Sequence, residues 1–384
     1  MRIGIDVRYL SHGLVGGVHN YVRRLVPALI AAGSAHEFVL YADTKAPFEL
    51  RDLPPQVQVR YLPYRNGLSS IANDLLIRQA MRTDRVEVAH FPANYGFGPA
   101  QAATIITLHD EINVLPLAQI IAGHRKDVRT LAMMTYLHLL TRAAVPRAAG
   151  ILTVSEHARQ QILRYVQIAP ERIVAAHHGV DPDLQRVIDP QQRAAVQVRH
   201  NITRRYVLAD GLKNPAVLVR AWRALPGVLR DQFVIVFFAR REPLPVVQEA
   251  VAAGWAQVLL RPTREELIAL YSGAAAFVFP SWIEGFGMPL LEAMTCGAPV
   301  IASDRGAIPE VTGGAARLVD AEDAPTLAQH LIAVLDDPAE AERLRRLGYA
   351  RAAQFAWANT AQQTLAVYAA ALPPTRAPYQ LSPQ

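Results

Sequence analysis

A single cysteine, Cys296, occurs in the 384 residues. One thiol excludes an internal disulfide framework and suits a reducing compartment. Lysine is nearly absent: Lys45, Lys126 and Lys213 are the only three, so arginine carries the surplus behind a formal charge of +6. No dense basic run is interleaved with aromatics, which argues against a nucleic-acid surface. No apolar run approaches the roughly 18 to 20 residues of a membrane span. The opening Met1-Arg2-Ile3-Gly4-Ile5-Asp6-Val7 reads as a buried strand. It lacks the long apolar region and small-residue cleavage site of a signal peptide, so a cytoplasmic protein is expected. No metal or cofactor is expected.

What is present is a repeated alternation of short apolar strands and amphipathic helices. Strands are expected at Arg2–Val7, Glu37–Tyr41, Val57–Tyr61, Val86–His90, Thr104–Leu108 and Ile151–Val154. After a polar, turn-rich linker from Val174 to Asp183 the pattern restarts. Further strands are expected at Tyr206–Ala209, Phe233–Phe238, Val258–Leu260, Ala276–Phe279, Pro299–Ala302 and Ala316–Val319. Such alternation predicts α/β domains, each a doubly wound parallel sheet covered on both faces. The expected division is an N-terminal domain over 1–183, a second domain over 184–356, a final helix over 357–372 and a disordered, proline-rich tail over 373–384. Two such domains leave a cleft, a common place for a ligand.

The most informative segment is Glu284-Gly285-Phe286-Gly287-Met288-Pro289-Leu290-Leu291-Glu292. It follows the expected strand Ala276–Phe279, at the carboxyl end where open α/β sheets bind ligands. Pro289 suits the first position of a helix and Gly297 its left-handed cap. The N–H groups from Phe286 to Leu290 would then face an anion such as a phosphate. Glu284 and Glu292 bracket that seat. A ligand with a diphosphate at its middle and hydroxyls at both ends fits, which describes a nucleotide sugar.

Four other segments carry polar groups at strand ends. Gly16 and Gly17 lie between the first strand and first helix, either as an ordinary tight turn or as backbone that a phosphate approaches. His109 ends the fifth strand, as a structural histidine or as a donor to a sugar hydroxyl. Lys213 follows a strand and a glycine turn, as a solvated lysine or as a point charge for a diphosphate. Arg261 precedes a helix whose start is marked by the Thr263/Glu266 capping box, and it faces either a nucleotide or solvent. Arg78, Arg82 and Arg85 share an expected helical face, and Arg125, Lys126 and Arg129 form a second basic cluster; each is a solvated surface or a contact for anionic headgroups.

Taken together, these segments resemble glycosyltransferase family 4, retaining enzymes of the two-domain GT-B fold. Pro280-Ser281-Trp282-Ile283-Glu284 through Met294, followed by Cys296 to Ser303, is similar to the Glu-x7-Glu signature and its flanks. The resemblance implies that Glu284 contacts the donor sugar's hydroxyls and that the backbone at Gly285, Phe286, Gly287 and Met288 lies near sugar and phosphate. It implies further that Glu292 holds the ribose, Lys213 the phosphates, and His109 the sugar near its reacting carbon, with Gly16–Gly17 as the phosphate loop. One departure stands out. The family often has an arginine several residues before the lysine, but Ala209-Asp210-Gly211-Leu212 has none. Either another residue such as Arg261 supplies the charge, or fewer cations hold the phosphate. The implied function is metal-independent, retaining transfer of a hexose from a nucleoside-diphosphate sugar to a glycan or lipid-linked acceptor, with mannose from GDP-mannose as the leading donor. UDP-sugar transfer, an epimerase or hydrolase of the same fold, and a non-catalytic nucleotide-sugar-binding protein are the alternatives.

Overall fold

The structure is a computed structural model that describes residues 1–12, 16–122 and 127–372. Gly13, Arg125, Lys126 and the tail 373–384 lie outside the described residues. The chain forms two compact units. The first comprises Met1–Val154, Ala158–His177 and the helix that begins at Trp357; the second comprises Ser155–His157 and His178–Ala356.

The first unit is built on seven parallel strands: β1 (Arg2–Asp6), β2 (Glu37–Asp43), β3 (Val57–Leu62), β4 (Val88–Phe91), β5 (Ala103–Leu108), β6 (Gly150–Thr153) and β7 (Ile173–Ala175). Their order is β3-β2-β1-β4-β5-β6-β7. Every strand expected in this half is present within two residues of its expected bounds. Strand β7 is the addition: Val174 and Ala175, expected in a linker, pair with β6 in the register Leu152↔Val174 and Thr153↔Ala175. Three residues carry too little alternation to be read as a strand; pairing with β6 defines them.

The helix Gly17–Ala32 buries Tyr21, Val22, Leu25, Val26, Leu29 and Ile30, the three-to-four spacing of one helical face. The last helix, Trp357–Ala371, packs beside it, with Trp357 5.9 Å from the Tyr21 ring. Tyr368 anchors that helix from within. Its hydroxyl lies 2.6 Å from His90 Nδ1, and His90 Nε2 lies 2.8 Å from Thr107 Oγ1. Burial pushes the His90 imidazole down to about 3, so the ring is neutral. The neutral ring carries one proton, so it donates to one of these two hydroxyls and accepts from the other.

The second unit has six parallel strands: β8 (Arg205–Asp210), β9 (Phe233–Ala239), β10 (Ala256–Leu260), β11 (Ala276–Phe279), β12 (Val300–Ser303) and β13 (Ala316–Val319). Every one was legible in the sequence. Their order, β10-β9-β8-β11-β12-β13, repeats the first unit's winding. The winding reverses between β8 and β11, and ligands of such sheets sit at the carboxyl ends flanking that point. The core beneath is apolar and closed: Val207, Phe237, Val278 and Ile301 are fully buried. Cys296 is also buried, and burial raises its thiol to about 12, which keeps it protonated and unreactive.

Candidate active site

At the end of β8 the chain turns through Asp210-Gly211-Leu212. The Asp210 carboxylate accepts from the Leu212 N–H at 2.8 Å, and Gly211 N–H donates to Phe238 O at 2.9 Å, so the turn is pinned to β9. Asn214 then adopts a left-handed conformation, φ 51°, which asparagine tolerates better than most residues. Its side-chain amide donates to Pro280 O at 3.0 Å and Ala321 O at 2.8 Å. This clamp ties the β8 turn to the loop after β11. The consequence is an ion pair across the point of reversal: Lys213 Nζ lies 2.7 Å from Glu284 Oε1. Ser281 Oγ donates to the same oxygen at 2.8 Å. Among the described residues no hydrogen bond reaches Glu284 Oε2, so that oxygen can accept from a ligand's hydroxyls.

The loop that presents Glu284 is supported from behind. Ala307 N–H donates to Glu284 O at 3.0 Å, and Gly306, at φ 61°, lies so close that an added Cβ would stand 2.6 Å from that oxygen. Gly287 then turns left-handed, φ 100°, and launches the helix Met288–Thr295. The helix begins one residue earlier than expected, so Pro289 is its second residue; its missing N–H still falls among the four that have no intrahelical partner. Gly297 is left-handed at φ 78°, the expected cap. No side chain caps the N-terminus of this helix. Phe286 is buried beneath the turn, its ring 4.8 Å from that of His178.

Glu292, one turn into the helix, accepts from Arg264 Nη1 at 3.2 Å, while Arg264 Nη2 lies 2.7 Å from Asp181 Oδ2. Burial raises the Glu292 carboxyl and the Arg264 charge opposes that shift. The spacing Asp181-Pro182-Asp183 is an Asp-x-Asp, but Asp181 is committed to Arg264. Among the described residues no group of three or more histidine, cysteine, aspartate or glutamate side chains is arranged to hold a metal.

The structure thus brings Lys213, Glu284, Gly285, Phe286, Gly287, Met288 and Glu292 to one edge of the second sheet. Arg261 stands apart. It follows β10, two strands from β8, is exposed at φ 51°, and its Nε donates to Arg240 O at 3.1 Å. No described contact joins it to Glu284 or Glu292. Sequence reasoning overlooked Asn214, Ser281, Gly306, Arg264 and Asp181. Arg264 had a signal, since it lies inside the capping box that the structure contains: Thr263 accepts from Glu266 N–H, and Glu266 from Thr263 N–H.

His109 and the glycine pair belong to the first unit. His109 Nε2 lies 2.8 Å from Pro92 O, and burial lowers its imidazole to about 4. A carbonyl only accepts, so the neutral ring carries its proton on Nε2 and spends it there. The Nε2 proton of His109 is therefore spent on protein. Gly17 opens its helix and Gly16, at φ −180°, precedes it in extended backbone. A Cβ at either would meet nothing within 4 Å, so neither local crowding nor a left-handed backbone calls for these glycines.

Two family descriptions cover most of the chain. Residues 15–184 match Glycosyltransferase Family 4, and residues 206–337 match Glycosyl transferases group 1. The chain is 29% identical over 298 residues to the O-antigen chain mannosyltransferase B of Escherichia coli, covering 75% of this chain and 76% of that protein. It is also 29% identical over 232 residues to the serotype-specific mannosyltransferase WbdA of Escherichia coli, covering 57% of this chain but 28% of that larger protein. Among solved structures, sucrose-phosphate synthase from Thermosynechococcus elongatus superposes with a TM-score of 0.70 at 22% identity, covering 96% of this chain and 98% of that one.

Proposed function

This chain belongs to glycosyltransferase family 4 and has the GT-B fold, and from that premise we propose that it is a retaining, metal-independent hexosyltransferase. The donor is a nucleoside-diphosphate sugar, GDP-mannose in the first instance, and the acceptor is a hydroxyl of a glycan or lipid-linked glycan in cell-surface polysaccharide or glycolipid synthesis. The observation that carries the proposal is the Lys213–Glu284 pair, 2.7 Å across the reversal point and beside a helix N-terminus without a side-chain cap. The mannosyltransferase names of the relatives favour mannose among hexoses.

The barrier in such a reaction lies in an oxocarbenium-like sugar and a departing diphosphate. The Lys213 ammonium has three N–H donors, enough to keep Glu284 and still take a phosphate oxygen. With the N–H groups of Gly287 and Met288 it stabilises the leaving group's charge, a preorganised electrostatic effect. Glu284 Oε2 accepts from sugar hydroxyls, and Glu292, held by Arg264, accepts from the ribose. His109 is assigned to the sugar near its reacting carbon. The acceptor oxygen bonds to that carbon on the face from which the phosphate oxygen leaves. The acceptor's proton passes to that departing oxygen, so no carboxylate nucleophile is needed and configuration is retained.

The test is a thermal-shift panel of nucleotide sugars in EDTA, followed by turnover with the donors that bind. A donor at about 100 times its Kd adds about 2.7 kcal/mol. GDP-mannose is expected to stabilise the protein and to yield an α-linked product with EDTA present. A β-linked product, or no shift with any nucleotide sugar, overturns the proposal.

Peripheral membrane contact is a separate part of the reading. No helix among the described residues is long and apolar enough to cross a membrane. The helix Gly67–Thr83 nevertheless turns Leu68, Ile71 and Leu75 outward, 73%, 50% and 74% exposed. Arg78 and Arg82 continue the same stripe at spacings of three and four, and Arg85 follows just beyond the helix end. An apolar stripe running into cations fits an anionic lipid surface. Sedimentation with phosphatidylglycerol vesicles, but not with phosphatidylcholine vesicles, is expected, and Arg78→Glu with Arg82→Glu is expected to abolish it; equal pelleting with both lipids refutes the electrostatic part.

A further inference from the structure

The charges fixed at the second unit's sheet edge do not by themselves favour an anion. In the described ion pairs there, Lys213 and Arg264 are the cations, already paired with Glu284, Asp181 and Glu292, and Asp210 adds a further carboxylate at the same edge. A diphosphate brought to this edge meets a surplus of carboxylates. The turn Asp210-Gly211-Leu212 supplies no further cation. We propose that Arg240, the first residue after β9, supplies the missing positive charge and grips the donor's diphosphate on its ribose side; this rests on the donor-site reading above.

Topology places Arg240 at the right edge. Strand β9 lies directly beside β8, with Asp210 opposite Phe238, so Arg240 emerges two residues beyond the partner of the residue that begins the phosphate turn. The Gly211 N–H to Phe238 O hydrogen bond, 2.9 Å, fixes that turn against the end of β9. The Arg240 backbone is held in turn, since its carbonyl accepts from Arg261 Nε at 3.1 Å while Arg261 N–H donates to Ala239 O at 2.8 Å. Arg261 therefore acts on the site as a brace for Arg240. The Arg240 side chain is exposed and, among the described residues, forms no ion pair. Its charge nonetheless favours the ionised forms of both Asp210 and Glu292, so the guanidinium lies within electrostatic reach of the phosphate turn and of the carboxylate assigned to the ribose. A planar guanidinium gives a phosphate two parallel hydrogen bonds, which an ammonium cannot.

Calorimetric titration of GDP, UDP, inorganic pyrophosphate and guanosine tests the assignment. Arg240→Gln is expected to weaken the two nucleotides and pyrophosphate by at least about tenfold, with guanosine unaffected. Arg241→Gln, one residue on, is expected to stay within about twofold of the parent. Unfolding temperatures of both variants are expected to match the parent, because both side chains are exposed. Unchanged nucleotide affinity in Arg240→Gln, alongside a clear loss in Lys213→Ala, overturns the role of Arg240 and leaves the donor site standing. If neither nucleotide binds the parent protein, the donor-site reading falls and the assignment falls with it.

Discussion

Gly306 offers a direct way to disturb the Glu284 loop without touching its side chains. In Gly306→Ala the new Cβ would stand 2.6 Å from Glu284 O and 2.8 Å from Glu284 N, both backbone atoms that cannot swing aside. The left-handed conformation at φ 61° costs an alanine about 1 to 2 kcal/mol. Losing the Ala307 N–H to Glu284 O hydrogen bond adds about 1 kcal/mol. Relieving the overlap by moving the loop brings the expected loss to about 3 kcal/mol, and the carboxylate moves with the loop. Gly314 is the matched control. It is also left-handed, at φ 84°, but a Cβ there meets nothing within 4 Å. Gly314→Ala should show only the conformational cost, about 1 to 2 kcal/mol, with turnover unchanged. Urea denaturation and donor turnover on both variants separate contact from strain. Equal destabilisation and equal turnover in the two would refute the claim that Gly306 positions Glu284.

Lys213→Ala and Glu284→Ala are each expected to cut transfer at least about 100-fold, measured as nucleotide release under saturating donor, with circular dichroism unchanged. Arg264→Gln leaves Glu292 without its cation; donor KM should rise about tenfold while kcat falls less, and an effect on kcat alone would count against a ribose-side role. The pH dependence of stability has a defined sign. His90 and His109 have folded values near 3 and 4, below the usual 6.5, so protons bind the unfolded chain more tightly. Their contribution is complete above pH 6.5 and is lost as pH falls toward 4, about 2 to 3 kcal/mol per histidine at pH 4.5, readable in urea titrations. Because His109 stays neutral through that range, kcat should show no inflection near pH 6.5 that His109→Asn removes. Tyr368→Phe should cost about 1 to 2 kcal/mol through the unmet His90 Nδ1, with unfolding followed by fluorescence.

Much of this protein was legible along the chain because the signals are local. Twelve strands could be read from short apolar runs, since a parallel strand buried on both faces must be nearly continuous in hydrophobic residues. The helix after Glu284 announces itself through Gly287, Pro289 and Gly297, whose backbone preferences hold whatever surrounds them. Glu284 and Glu292, eight apart, stand before and within that same helix.

What the chain could not disclose are the partnerships made across strands. Lys213 and Glu284 are 71 positions apart in sequence and meet at 2.7 Å because β8 and β11 are neighbours at the reversal of winding, with Asn214 clamping their two loops. The same adjacency explains why Arg261, prominent in sequence beside a capping box, ends at the outer edge, while Arg240, unremarked in sequence, follows the strand next to β8. The proton on His109 is settled by a carbonyl 17 residues earlier in the chain. Residue preferences fix what each short segment becomes; sheet order, a property of the whole fold, decides which charges stand close enough to act together.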